Sequence, residues 1–99
     1  MIDFKFEDVG IKLPTFQELD EITDSSKVKA IAKFKHEKSG WIWYVIAGEY
    51  IGAGDYYCYG LVKGIATEFG MFDLSTALDC GAKFCPTFTP CYVDELVKE

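Results

Sequence analysis

The chain has 99 residues, 49% of them hydrophobic and 26% charged, and its formal net charge at pH 7 is −6. This length supports one domain with a modest core, residues 1–99, and all ten basic residues are lysines, so the chain lacks arginine for bidentate phosphate binding. Its acidity argues against direct nucleic-acid binding, and the absence of a signal-peptide pattern or a long apolar run predicts a cytoplasmic protein without membrane contact.

The first 24 residues predict an irregular arm followed by a short helix. Residues 1–14 show no clean hydrophobic period and end at Pro14. Thr15 is expected to cap a helix over residues 16–23, with Glu18 completing a capping box. Three apolar residues of this helix share its core-facing side: Phe16, Leu19 and Ile22.

Three antiparallel strands are predicted between residues 28 and 63. From Val28 to Phe34 the hydrophobic period is two, which places Val28, Ala30, Ala32 and Phe34 on one face and Lys29, Ile31 and Lys33 on the other. A loop over residues 37–40, with Gly40 suited to a positive φ, leads into residues 41–47. That segment is apolar on both faces, as in a central strand. A turn over residues 52–55 precedes the third strand, residues 56–63.

The rest of the chain predicts smaller elements. Residues 64–70 read as an irregular or helical turn between two glycines, and residues 71–72 as a short extended piece. Asp73 is expected to cap a helix over residues 74–79. The tail, which contains Pro86 and Pro90, predicts at most one edge strand. The expected fold is α+β: a three- to four-stranded antiparallel meander sheet with one or two short helices packed on one face.

Aromatic residues are concentrated in the two central strands. Seven of the sixteen aromatic residues lie between Trp41 and Tyr59. One face of these strands is expected to pack under the helices, and the other to be covered by the tail, by a second copy of the chain or by a partner. Tyr and Trp are enriched in binding hot spots. The candidates for partner binding are therefore the aromatic residues of these strands, together with the acidic residues at the second turn: Trp41, Trp43, Tyr44, Tyr57 and Tyr59, with Glu49 and Asp55.

No metal site or cofactor is expected. The four cysteines could supply a four-sulfur site, but their spacing lacks the paired tight motifs typical of structural zinc. Reduced thiols are the expected state in a chain without an export signal. The weak metal candidates are Cys58, Cys80, Cys85 and Cys91.

Catalytic residues are not expected either, although three side chains leave an alternative open. His36 is the only histidine, and no nucleophile is placed beside it in sequence. Glu49 and Asp55 flank the second turn and could approach each other, as the carboxylate pairs of hydrolases and of hard-cation sites do. Acidic residues at a hairpin end are more commonly polar turn residues.

Charge is uneven along the chain. Residues 1–24 contain seven acidic residues and two lysines, for a charge of −5, and residues 25–40 contain five lysines and one acidic residue, for +4. Residues 41–99 contain eight acidic residues and three lysines, for −5. This pattern permits electrostatic steering toward a charged partner. The simpler interpretation is a solvated surface that keeps the protein soluble.

Several short segments occur in the order and spacing of a known pattern over residues 11–96. They are Lys12-Leu-Pro14, Ala32-Lys-Phe34, Trp41-x-Trp43-Tyr44-Val45, Gly48-Glu49, Gly54-Asp55-Tyr56, Tyr59-Gly60-Leu61-Val62-x-Gly64, Glu68-Phe-Gly70-Met-Phe72-x-Leu74-Ser75, Pro90 and Asp94-Glu-Leu96. With these segments the chain resembles a small bacterial domain family of unknown function, carried on plasmids, conjugative elements and phage-like islands. It departs from the pattern at Thr76, where the family usually has glutamate, and in its three C-terminal cysteines.

The resemblance implies a genetic setting and no catalytic residues. It suggests an accessory protein of a mobile element that binds and blocks a host defence protein or nuclease complex, as an anti-CRISPR or antirestriction inhibitor. In that hypothesis the acidic surface occupies a basic nucleic-acid channel and the aromatic face supplies an apolar anchor. The alternatives are a small ligand-binding domain or enzyme that uses Glu49, Asp55 and His36, and a structural homodimer.

Overall fold

The computed structural model describes residues 4–98, which form two antiparallel sheets and three short α-helices. The helices are α1 (Phe16–Asp20), α2 (Leu74–Asp79) and α3 (Val93–Val97), with 3₁₀ helices at Phe6–Val9 and Ser25–Lys27. The strands are β1 (Lys29–Ala30), β2 (Ala32–Lys35), β3 (Ile42–Gly52), β4 (Asp55–Lys63), β5 (Thr67–Asp73), β6 (Lys83–Phe84) and β7 (Cys91–Tyr92).

The main sheet has five antiparallel strands in the order β5-β4-β3-β2-β6, and β1 pairs with β7 in a separate two-stranded sheet. The α+β class and the central antiparallel meander are confirmed, but the sheet has more strands than predicted. Residues 64–70 do not form a turn throughout, because β5 begins at Thr67 and pairs with β4 along its whole length. Gly70, which suggested a turn, lies opposite Gly60 in this pairing.

Strand β3 is buried on both faces, and each face has its own hydrophobic core. The first core contains residues of β2, β3, β4 and α2 together with the N-terminal 3₁₀ helix: Phe6, Ala32, Phe34, Trp43, Val45, Cys58, Leu74 and Ala77. The second core is covered by α1 and α3: Ala30, Tyr44, Ile46, Ala47, Leu61, Val93 and Leu96, with Phe16 and Leu19 packed against it. The prediction that helices pack on one face is therefore wrong, since both apolar faces of β3 need cover.

The chain crosses from one core to the other at Ile31. The predicted strand over residues 28–34 is divided there, and the backbone N–H of Ile31 donates to the carbonyl of Val45 at 2.8 Å. Ala30 on one side of the break lies in the second core, whereas Ala32 on the other side lies in the first. The expected shared face from Val28 to Phe34 is wrong for this reason.

Near the N-terminus the predicted cap at Thr15 is confirmed, but the predicted lengths of the terminal elements are not. The capping box of α1 is present, with Thr15 and Glu18 exchanging two hydrogen bonds of 3.1 Å. The helix ends at Asp20, and Ile22 is 41% exposed instead of facing the core. The tail contains two strands and a helix, more than the single edge strand expected, and α3 supplies two buried residues to the second core.

Gly60 and Gly70 offer a matched test of this architecture. A Cβ on Gly60 would overlap the carbonyl oxygen of Tyr44 beside the irregular register of β3, whereas a Cβ on Gly70 meets nothing within 4 Å. We expect Gly60→Ala to lower the free energy of unfolding by about 3 kcal/mol. Gly70→Ala is expected to change it by less than about 0.5 kcal/mol. Urea unfolding measures both, and equal effects would contradict the packing of β3 on β4.

Candidate functional site

The residues predicted to bind a partner do not form one surface. Trp43 and Tyr44 are buried in opposite cores, so the protein's own chain covers both of these side chains. Trp41 is 36% exposed, and its ring is tilted by 37° against that of Trp43, with the centroids 5.9 Å apart. Tyr57 and Tyr59 lie on the second-core face of the sheet, where β4 meets β5. This pair lies beside the exposed apolar side chains of β5, whereas Trp41 and Trp43 line a separate apolar cleft.

The two acidic residues at the second turn have different surroundings. Glu49 is exposed and pairs in register with Tyr57, while Asp55 pairs with Gly52 at the end of the hairpin. The carboxylate of Asp55 accepts hydrogen bonds from the backbone N–H of Ser75 at 2.9 Å, from the Ser75 hydroxyl at 2.7 Å and from its neighbour Tyr56 at 2.8 Å. Both of its oxygens therefore hold the first turn of α2 against β4.

Asp55 thus performs the capping that the sequence assigns to Asp73. Asp73 occupies the N-cap position of α2, but its side chain makes no capping hydrogen bond. Desolvation alone would raise the pKa of Asp55, yet the hydrogen bonds from Ser75 and Tyr56 outweigh it and hold that pKa below its ordinary value. The ionised carboxylate is the form that supports the helix.

His36 is one of the residues that line an apolar cleft of about 460 Å³. Its Nδ1 is 2.6 Å from the Ser39 hydroxyl within the same turn, and a Cβ built on Gly81 would lie 3.0 Å from the imidazole ring. The cleft is lined by these residues among others: His36, Ser39, Trp41, Trp43, Phe72 and Cys80. The sequence also left open a site built from Glu49, Asp55 and His36. In the structure the carboxylate of Asp55 already accepts hydrogen bonds from Ser75 of α2.

The four cysteines are free thiols in different surroundings. Cys58 is buried in the first core, Cys80 is exposed, and Cys85 and Cys91 are half-buried. Burial, followed by the negative charges of Asp55 and Asp73, raises the pKa of the Cys58 thiol to about 12. Within residues 4–98, no three His, Cys, Asp or Glu side chains are grouped as a metal site requires.

An apolar groove that the sequence analysis missed lies between β5, α1 and α3. Its volume is about 590 Å³, and we call it the β5 groove. Along the sheet it is lined by Ile46, Tyr59, Phe69 and Met71, and opposite them by residues that include Phe16, Leu19, Ile22, Val28 and Val93. The charged residues that line it are both acidic, Asp20 and Asp94.

Large apolar side chains remain exposed along this groove and beside it. Phe69 is 48% exposed, Met71 is 44% exposed and the neighbouring Tyr57 is 40% exposed. The ring of Tyr59 stacks on Phe69 with 6.3 Å between centroids. The only sequence signal for this surface is the spacing of Phe69 and Met71 two residues apart, which Gly70 between them obscures. Contiguous exposed apolar side chains of this kind mark interaction sites.

Comparison with protein-family models, with curated proteins and with solved structures found no match to this chain. The resemblance to a family of mobile elements therefore stays a prediction. No helix in the part of the chain that the structure describes is both long enough and apolar enough to cross a membrane.

The capping role of Asp55 can be separated from that of Asp73 by paired alanine variants. We expect Asp55→Ala to lower the free energy of unfolding by about 1 kcal/mol at pH 7, since it removes the capping hydrogen bonds of α2. Asp73→Ala removes no capping hydrogen bond and is expected to lower the free energy of unfolding by less than about 0.5 kcal/mol. Urea unfolding by circular dichroism measures both variants, and a larger effect at Asp73 would contradict the assignment.

The stabilisation that Asp55 provides should depend on pH. The pKa of Asp55 is lower in the folded chain than in the unfolded chain, so its stabilisation is present above the unfolded pKa of about 3.9 and is lost as the pH falls through the folded pKa. The stability difference between wild type and Asp55→Ala should therefore shrink below about pH 4. A difference that stays constant down to pH 2 would show that the charge of Asp55 is not involved.

Proposed function

We propose that this protein is a non-enzymatic protein-binding module and that the β5 groove is its binding surface. The observation that carries this proposal is the row of exposed apolar side chains on one face of β4 and β5: Tyr57, Phe69 and Met71. Each of these side chains has much of its surface in water although it adjoins the second core. Binding of a partner that buries these side chains is stabilised by the removal of their apolar surface from water.

The chemistry of the groove favours binding over catalysis. Its lining is mostly aliphatic and aromatic, and its polar side chains are two aspartates, Thr23 and Ser25. Aromatic and methionine side chains are enriched at the centres of protein interfaces, where acidic residues are depleted. Here Asp20 and Asp94 are both exposed side chains, as residues at the rim of an interface are.

The proposed biological role is inhibition of a host defence protein or nuclease complex in the cytoplasm, as an anti-CRISPR or antirestriction protein. The resemblance to accessory proteins of mobile elements and the net charge of −6 support it. An acidic protein can occupy a channel that normally holds nucleic acid, and long-range attraction accelerates such an encounter. Trp43 and Tyr44 are buried, so the β5 groove takes the place of the expected aromatic anchor.

The test is capture of a partner by matched surface variants. Immobilised wild type should retain a nuclease or another nucleic-acid-binding protein from host lysate at low salt and release it at high salt. Phe69→Thr combined with Met71→Thr should lower the retained amount by about tenfold or more, because truncating central apolar contacts typically costs more than 1 kcal/mol each.

Ile51→Thr is the matched control, since Ile51 is also an exposed strand residue but lies in the β3–β4 hairpin. It should retain as much partner as the wild type. Circular dichroism and urea unfolding establish that each variant is folded. Equal retention by the double variant and the wild type would show that the β5 groove is not the binding surface.

A further inference from the structure

The two edges of the five-stranded sheet differ in how they are protected. The β6 edge is only two residues long, contains Lys83 and is followed by Pro86. Short strands, lysine and proline are the devices that keep a sheet edge from pairing with another chain. The β5 edge is seven residues long and contains neither lysine nor proline. No segment within residues 4–98 pairs with its outer side.

The open edge of β5 adjoins the β5 groove directly. Phe69 and Met71, two residues apart in the strand, both lie on its groove side. They pair in register with Leu61 and Tyr59, respectively. A strand laid along the outer edge would place every second side chain on this same face, because side chains alternate with a period of two. The backbone of β5 and the apolar groove are therefore positioned to bind one extended segment together.

The charges around this edge are negative. Glu68 and Asp73 belong to β5, and Asp20 and Asp94 line the groove. Lys63, which pairs in register with Thr67 at the start of β5, instead donates to the carbonyl of Leu96 at 2.6 Å and lies over the ring of Tyr44. Asp20 and Asp94 thus present carboxylates on the groove face, whereas Glu68 pairs in register with Val62 and lies on the opposite face of the sheet.

We propose that β5 accepts an extended, basic segment of a partner protein as a sixth strand of the sheet, which deepens the proposed function and rests on it. Alternate apolar side chains of that segment fill the β5 groove, and the intervening lysines or arginines project from the opposite face of the sheet, where Glu68 lies. Main-chain hydrogen bonds supply affinity and the pockets supply specificity, as in other strand-addition complexes. A second copy of this chain fits less well, because it would bring another molecule of charge −6 to an acidic edge.

The test uses synthetic peptides as long as β5 and the full chain labelled for NMR. A capped peptide of alternating valine and lysine should bind, and its affinity should fall as salt is added. A peptide of alternating valine and glutamate should bind about tenfold more weakly or not at all. A peptide of the same composition as the first, with its valines and lysines in separate blocks, controls for charge alone.

Hydrogen exchange identifies the mode of binding. Strand addition should slow the exchange of every second amide of β5, those that do not bond to β4, by about tenfold or more. Glu68→Gln should weaken binding of the valine–lysine peptide several-fold, because the lysines of that peptide lie on the face of Glu68. Equal binding of the block peptide, or unchanged exchange in β5, would overturn the proposal.

The outcomes separate this inference from the proposed function. If Phe69→Thr with Met71→Thr abolishes partner capture while the alternating peptide fails to bind, strand addition is wrong and groove binding stands. If the double variant captures the partner normally, both proposals fall. A doubled molecular mass in solution that shifts β5 resonances would identify a second copy as the occupant and overturn the basic segment.

Discussion

The burial of β3 on both faces is the constraint on which the rest of the structure depends. Its aromatic and aliphatic side chains point alternately into two cores, so a chain of 99 residues must supply cover for both sides of one sheet. It does so with very short elements and with a crossover at Ile31 that takes the chain from one core to the other. The helices that cover the two cores are only five or six residues long.

The limited cover explains why apolar surface remains at β5. Helices α1 and α3 pack over the second core, around Tyr44, Ile46 and Leu61, and β5 lies beyond them at the edge of the sheet. On the opposite face, α2 is held to β4 through Asp55 and buries Leu74 and Ala77. The exposure of Phe69 and Met71 is therefore a consequence of the same architecture that makes the central strands stable.

Local patterns predicted the parts of the fold that local physics decides. The capping box at Thr15 and Glu18, the bounds of α2 and the positive φ of Gly40 follow from neighbours in sequence. The break at Ile31 and the cap supplied by Asp55 depend on contacts with residues far away in the chain, so hydrophobic period alone could not reveal them. The long β5 was concealed because Gly70 reads as a turn residue, whereas the structure places it in strand pairing opposite Gly60.

The candidate site was predictable only in its chemistry. Aromatic density suggested a contact surface, but the density is highest where the chain buries those residues itself, at Trp43 and Tyr44. The exposed surface lies one strand further out, where two apolar residues sit in a segment with little other signal. An exposed apolar surface consists of apolar side chains that the rest of the chain does not cover. The sequence shows which residues are apolar, but it does not show which of them are covered.

Hydrogen–deuterium exchange of the full chain, free and bound to the protein that it retains from host lysate, tests the central claim most directly. If the partner binds the β5 groove, exchange slows in β5 and in the segments that line the groove opposite it, with no change in the β3–β4 hairpin. Slower exchange around the cleft of His36 and Trp41, with β5 unchanged, would contradict it.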